Sequence, residues 1–173
     1  MTGSRVGGWL LDVALAVAAA AAAVVLTSEL TAGLPASAQL ILLVLAVIYG
    51  SALILRRVAP LAVLAVQAVT ATAYAMLGMP VVMLGPAVLV TVYTVGVRLT
   101  RRAALVSLGV TEVLLAALLW AGPWHPGLPG LVQYAALLAA AWFLGDVVRR
   151  WQGAAAEHAR RAVELERADL DGG

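Results

Sequence analysis

The sequence predicts an all-α membrane protein of six transmembrane helices with a cytoplasmic helical tail, and three observations carry that expectation. The 173-residue chain is 64% hydrophobic with a mean hydropathy of +1.01, whereas water-soluble domains are about 45–50% apolar. The apolar residues fall in six runs, each close to the length a helix needs to cross a hydrocarbon core of roughly 30 Å. All eight arginines of the first 150 residues lie in every second gap between those runs: Arg5, then Arg56 and Arg57, then Arg98, Arg101 and Arg102, then Arg149 and Arg150. The gaps between hold no Lys or Arg. Short Arg-rich loops stay cytoplasmic, so the pattern predicts a multi-pass membrane protein with both termini in the cytoplasm.

The first span is expected at residues 9–27, about 28 Å at the helical rise. Its middle is the run 18–23 of alanines, small enough to let a neighbouring helix approach closely. Arg5, this run and Ala36-Ser37-Ala38 also have the order of a secretory signal. The run exceeds a typical apolar signal core of about 7–15 residues, so retention as a membrane span is the expectation. A loop without positive charge, 28–38, leads to the second span at 39–55. The third span, 59–77, has Pro60 in its first turn, where a missing N–H has no partner to lose. Gly78-Met79-Pro80 then turns the chain.

The fourth span, 81–97, is interrupted by Gly85-Pro86. A proline inside a helix removes a backbone bond, so this span either kinks there or starts near Pro86. The fifth span is expected at 103–121, followed by an outer loop, 122–130, with three prolines and three glycines. The sixth is expected at 131–148. Trp9 and Trp151 fall at the inner interface and Trp120, Trp124 and Tyr134 at the outer one, the level that amphipathic rings favour. Trp142 falls deeper, where packing between helices is expected.

Beyond Arg150 the composition changes. Residues 151–173 carry Glu157, Arg160, Arg161, Glu164, Glu166, Arg167 and Asp169 and read as a solvated helix continuing the sixth span. Its 3/4 stripe of Val148, Trp151, Ala155, His158, Ala162, Leu165 and Asp169 is a poor coiled-coil seam, since small and polar residues interrupt it. Glu157 and Arg161 have the favourable i,i+4 orientation for a helix ion pair.

Several chemistries are excluded. The chain has no Cys and no Lys, which removes disulfides, thiolate metal sites, Cys nucleophiles, a phosphate-loop lysine and a Schiff base. No hydrolase, nucleotide-binding, redox or metal motif is present, so neither a catalytic residue nor a cofactor is assigned. A net charge of +2 is too small to imply nucleic acid as a partner. Topology and anionic headgroups account for the arginines, and the lipid bilayer is the expected partner.

Glu112 is the sharpest single residue, with nine residues of the fifth span on either side. An isolated charge at such depth costs about 2.5–3.5 kcal/mol on insertion scales, and intramembrane ionisable groups mark functional sites. It is a candidate sensing or cation-binding group. The plainer reading is a glutamic acid hydrogen-bonded to Gln67, Thr70, Thr72 or Tyr93, which makes Gln67 and Tyr93 candidates with it. Asp12 is expected to cap the first span or reach the inner headgroups. Asp146 precedes Arg149 and Arg150 by three and four residues, a spacing that predicts local ion pairs at the junction where an output would leave the membrane. His125 reads as solvated, since a metal site needs several ligands, and His158 as a solvated or seam residue, since no phosphoacceptor box surrounds it.

Four stretches carry a family resemblance: Trp9-Leu10-Leu11-Asp12, Pro60-Leu61-Ala62-Val63, Val92-Tyr93-Thr94-Val95-Gly96-Val97-Arg98 before Arg101-Arg102-Ala103-Ala104, and Ala141-Trp142-Phe143-Leu144-Gly145-Asp146-Val147-Val148-Arg149-Arg150. In that order they resemble the membrane-embedded N-terminal region of actinobacterial sensor histidine kinases that partner with LuxR-like response regulators. The resemblance implies a homodimer whose sixth span passes a signal to a helical connector. It also implies a phosphoacceptor module and an ATP-binding module beyond that connector. Neither lies within these 173 residues, so no phosphorylation is expected of this chain alone, and a response regulator is reached only through such a kinase core. The other expectation is a small six-span transporter, or the membrane subunit of one, with Glu112, Gln67 and the Gly85-Pro86 region lining a substrate path.

Overall fold

A computed structural model describes residues 3–80, 85–121 and 126–171, and all regular structure among them is helical. The elements are α1 (Gly3–Thr31), α2 (Ala36–Ser51) continued by a 3₁₀ turn (Ala52–Leu55), α3 (Pro60–Met76), α4 (Gly85–Arg98), α5 (Arg101–Ala121) and α6 (Gly127–Asp171). The expectations for residues 81–84, for Trp124 and His125, and for the side chains of Trp9, Asp12, Ala162, Leu165 and Asp169 lie outside the described residues.

Helix ends differ from the hydropathy boundaries. α1 is helical from Gly3 to Thr31 rather than over 9–27. Its last turn keeps its polar side chains bonded to its own ladder: Ser28 Oγ donates to the Val25 carbonyl and Thr31 Oγ1 to the Thr27 carbonyl, both at 2.8 Å. The loop to α2 is therefore short. Gln39 closes it, its Nε2 donating to the carbonyls of Thr31 (2.8 Å) and Leu34 (3.0 Å), which supplies partners that a helix C-terminus otherwise lacks. α3 ends as its sequence implies. Gly78 has φ +75°, a left-handed conformation that glycine adopts without strain. The bonds Gly78 N–H to Ala75 O (3.0 Å) and Met79 N–H to Tyr74 O (3.0 Å) are those of a Schellman cap. α6 begins four residues before the expected 131, because Pro129 falls in its first turn, where proline breaks no bond.

Two close helix pairs organise the bundle, α1 with α2 and α4 with α6, and they are the most extensive contacts in the fold. In the first pair Gly50 lies against the Ala20 backbone, where any side chain would overlap it; both the glycine and the alanine run are needed for that approach. α3 bridges the pairs. Tyr74 of α3 ties three helices, its hydroxyl bonding Thr27 Oγ1 (2.8 Å) and donating to the Leu42 carbonyl (2.9 Å). Around it Ala16, Leu42, Ala46, Tyr49, Leu53 and Val63 are buried. α5 lies against α3 and α6 with far less contact.

Four helical stretches are long and apolar enough to cross a membrane: Val13–Thr31, Ala36–Leu55, Arg101–Ala121 and Gly127–Arg161. Pro60–Met76 and Gly85–Arg98 are apolar but shorter. Leu40, Val44, Val69, Val106, Val113 and Phe143 are exposed. Apolar surface spread over every helix in this way suits lipid, since soluble monomers rarely expose apolar patches larger than a few hundred Å².

Candidate functional site

The sequence candidates fall in two regions of opposite character. The first is the crossing of α4 and α6. A Cβ built on Gly96 would stand 2.7 Å from the Trp142 carbonyl oxygen and 3.2 Å from Gly145 Cα, and one on Gly145 would overlap the Tyr93 carbonyl oxygen. Only two glycines permit this backbone-to-backbone contact. Small residues at a crossing are the means by which membrane helices approach closely.

One residue beyond the crossing sits Asp146, 2% exposed. Arg149 pairs with its Oδ1, and Arg150 holds its Oδ2 through Nε (2.9 Å) and Nη2 (2.7 Å). Arg149 Nη1 also donates to the carbonyl of Leu99, just past the end of α4. The arginine thus supplies a donor to the C-terminal end of α4, where cations are favourable. A buried carboxylate is tolerated when paired and hydrogen-bonded, and here both oxygens are engaged. From Trp151 to Arg161 every side chain of α6 is exposed. The three junction residues expected from sequence are therefore in contact, at the point where α6 leaves the bundle.

The second region surrounds α5. A groove of about 540 Å³ runs between α3 and α5, lined almost wholly by apolar side chains together with Gln67, Ser107, Thr111 and Arg102. Gln67 is 1% exposed, and neither its Nε2 nor its Oε1 has a hydrogen-bond partner. A cavity of about 200 Å³ lies beside Pro86 and Tyr49. A crevice of about 30 Å³ between α5 and α6 holds Glu112 against Tyr134 and Leu138. Leu115 borders all three.

Glu112, Gln67 and Tyr93 are thus not one cluster. Glu112 faces α6, Gln67 faces the α3–α5 groove, and Tyr93 is exposed on α4. Thr70 and Thr72, the other proposed partners of Glu112, bond the carbonyls of Val66 and Ala68 in their own helix. Position along each helix followed from the sequence; the side of the helix that each residue faces did not. Trp142 is half-buried between helices as expected, with its buried Nε1 lacking a partner. The Gly96–Gly145 contact and the Arg149–Leu99 bond were missed, although the glycines' positions near the ends of two spans were the available signal.

Residues 5–152 match the family described as a domain of unknown function, DUF7134. The chain belongs to the DUF7134 family. The match includes the crossing, the groove and the junction arginines, and stops at the first residues of the exposed segment of α6. No curated protein and no solved structure matches the chain. Among the described residues no group of three or more His, Asp or Glu is placed to hold a metal ion.

Proposed function

We propose that this DUF7134 chain is the membrane sensory and anchoring region of a two-component sensor histidine kinase. In this reading six helices cross a bacterial plasma membrane, both termini are cytoplasmic, and a homodimer forms through the tail. The observation that carries it is α6, a single helix of 45 residues. It is clamped to α4 at Gly145 and Asp146 and then continues as one helix to Asp171, with every side chain from Trp151 to Arg161 exposed. From Asp146 to Asp171 is about 38 Å at the helical rise. A rotation or slide of the clamped segment is carried along such a rod, which is how packed helices pass a switch between two arrangements. The arginine ladder supports the orientation. α3 has 17 residues, the lower limit of about 17–25 for a span.

The chain has no cysteine, so single cysteines introduced at positions 151–161 can be crosslinked in membranes without background. Crosslinking that recurs every three to four positions, and that changes when Asp146 is replaced by Asn, is the expected result. A tail that crosslinks nowhere would refute the reading. The cavities that meet at Leu115 favour a second reading, a small transporter or the membrane subunit of one. There Glu112→Gln should abolish uptake, and unchanged flux in reconstituted vesicles argues against it.

A further inference from the structure

The amide of Gln67 is buried in this bundle without a hydrogen-bond partner. Burying an amide without partners is unfavourable by a few kcal/mol, and the great majority of buried polar groups are satisfied. The neighbouring hydroxyls do not serve it. Ser107 Oγ donates to the Ala104 carbonyl (2.9 Å), Thr111 Oγ1 to the Ser107 carbonyl (2.7 Å) and Thr70 Oγ1 to the Val66 carbonyl (2.8 Å). The groove beside it is long and narrow. From Arg102 to Leu118 along α5 is about 24 Å at the helical rise, most of a hydrocarbon layer of roughly 30 Å. Arg102 stands at one end and, among the described residues, has no ion pair or hydrogen bond. One end of the groove is therefore cationic, the unpartnered Gln67 amide lies buried in its wall, and the lining is otherwise almost wholly apolar.

We propose that the α3–α5 groove binds one chain of an anionic lipid, with the headgroup on Arg102 and a carbonyl or hydroxyl of the lipid on Gln67. The amide reaches the groove by turning about its terminal torsion, which is soft, and loosely packed α5 gives way to the chain. Free fatty acids and acidic phospholipids share this chemistry. The inference goes beyond the signalling reading, because a lipid site stands or falls on binding, whatever the tail does.

The test uses the purified full chain in detergent with oleate, dioleoylphosphatidylglycerol and, as a reference without net charge, dioleoylphosphatidylcholine, retained lipid being counted by native mass spectrometry. An acidic lipid is expected to be retained about tenfold over phosphatidylcholine, and Arg102→Ala to remove that preference. Gln67→Leu should lower retention about tenfold, the factor that corresponds to about 1.4 kcal/mol, while raising the melting temperature of the lipid-free protein. Val110→Trp, which adds bulk at an exposed position of the groove lining, should abolish retention. Retention of oleate alone identifies a free fatty acid as the ligand, and retention of phosphatidylglycerol identifies a phospholipid; both sustain the site. Equal retention of all three lipids, retention unchanged in Gln67→Leu and Val110→Trp, or a lowered melting temperature in Gln67→Leu overturns it.

Discussion

α4 and α6 meet backbone against backbone, while α5 touches its neighbours far more sparsely and leaves cavities beside them. The difference comes from residue size and polar satisfaction. Gly96 and Gly145 let the first pair close completely, and Asp146 with its two arginines fixes the register. The α5 side has apolar walls that leave a groove between them and an amide that no neighbour answers. In the signalling reading proposed above, a ligand would move the loosely packed side and the clamp would pass that movement on.

The largest effect should come from breaking the tight side. Gly145→Val sets side-chain carbon against the Tyr93 carbonyl and Gly96, and overpacking of this kind costs about 1–3 kcal/mol. A matched change on the loose side is the control. A Cβ at Gly109 meets nothing within 4 Å, so Gly109→Ala should be neutral or stabilise by up to about 1 kcal/mol through helix propensity. Denaturant unfolding in detergent, run on both variants, reads the contrast directly. Equal losses would show that the two regions do not differ in packing.

Next in size is the carboxylate of the clamp. Asp146→Ala removes the shared partner of two arginines, and hydrogen bonds to charged groups contribute about 1.5–3 kcal/mol. Arg150→Ala should cost less than about 1 kcal/mol, because its side chain is 61% exposed and the solvent screens it. Arg149→Ala should fall between them, since it is 26% exposed and also holds the Leu99 carbonyl. If Arg150 proves the costlier loss in unfolding titrations, the bridge to α4 is not what stabilises the junction. On the loose side the sign reverses: Gln67→Leu should stabilise the lipid-free protein by about 1 kcal/mol by removing an unsatisfied buried amide.

Local chemistry was legible in the sequence, and the geometry between helices was not. Pro60 at a helix start, the turn at Gly78 and the pairing of Asp146 with Arg149 and Arg150 all follow from spacings of four residues or fewer. Helix ends were misplaced because hydropathy measures the thickness of the oil and not the hydrogen-bond ladder. Thr31 and Gly127 are helical although polar or turn-forming residues surround them. Glu112, Gln67 and Tyr93 were grouped by depth alone. Depth gives height in the bilayer, whereas contact needs the facing of each helix as well, which an alanine-rich helix with apolar residues on all sides does not reveal.

The smallest effect expected is the one that best separates the clamp from the tail. Glu157 and Arg161 form an ion pair one helical turn apart on α6. By distance and chemistry it resembles the Asp146 pairs, but both side chains are more than half exposed, at 62% and 65%. Exposed i,i+4 pairs contribute about 0.3–0.5 kcal/mol and are weakened by salt. A double-mutant cycle of Glu157→Ala and Arg161→Ala, measured by unfolding in low and high salt, should therefore give a coupling below about 0.5 kcal/mol that fades as salt rises. A coupling above about 1 kcal/mol that resists salt would mean that this stretch of α6 is shielded from solvent by a surface this chain does not supply. That surface would be a second tail, and its presence would turn the least consequential contact in the single chain into part of the dimer interface.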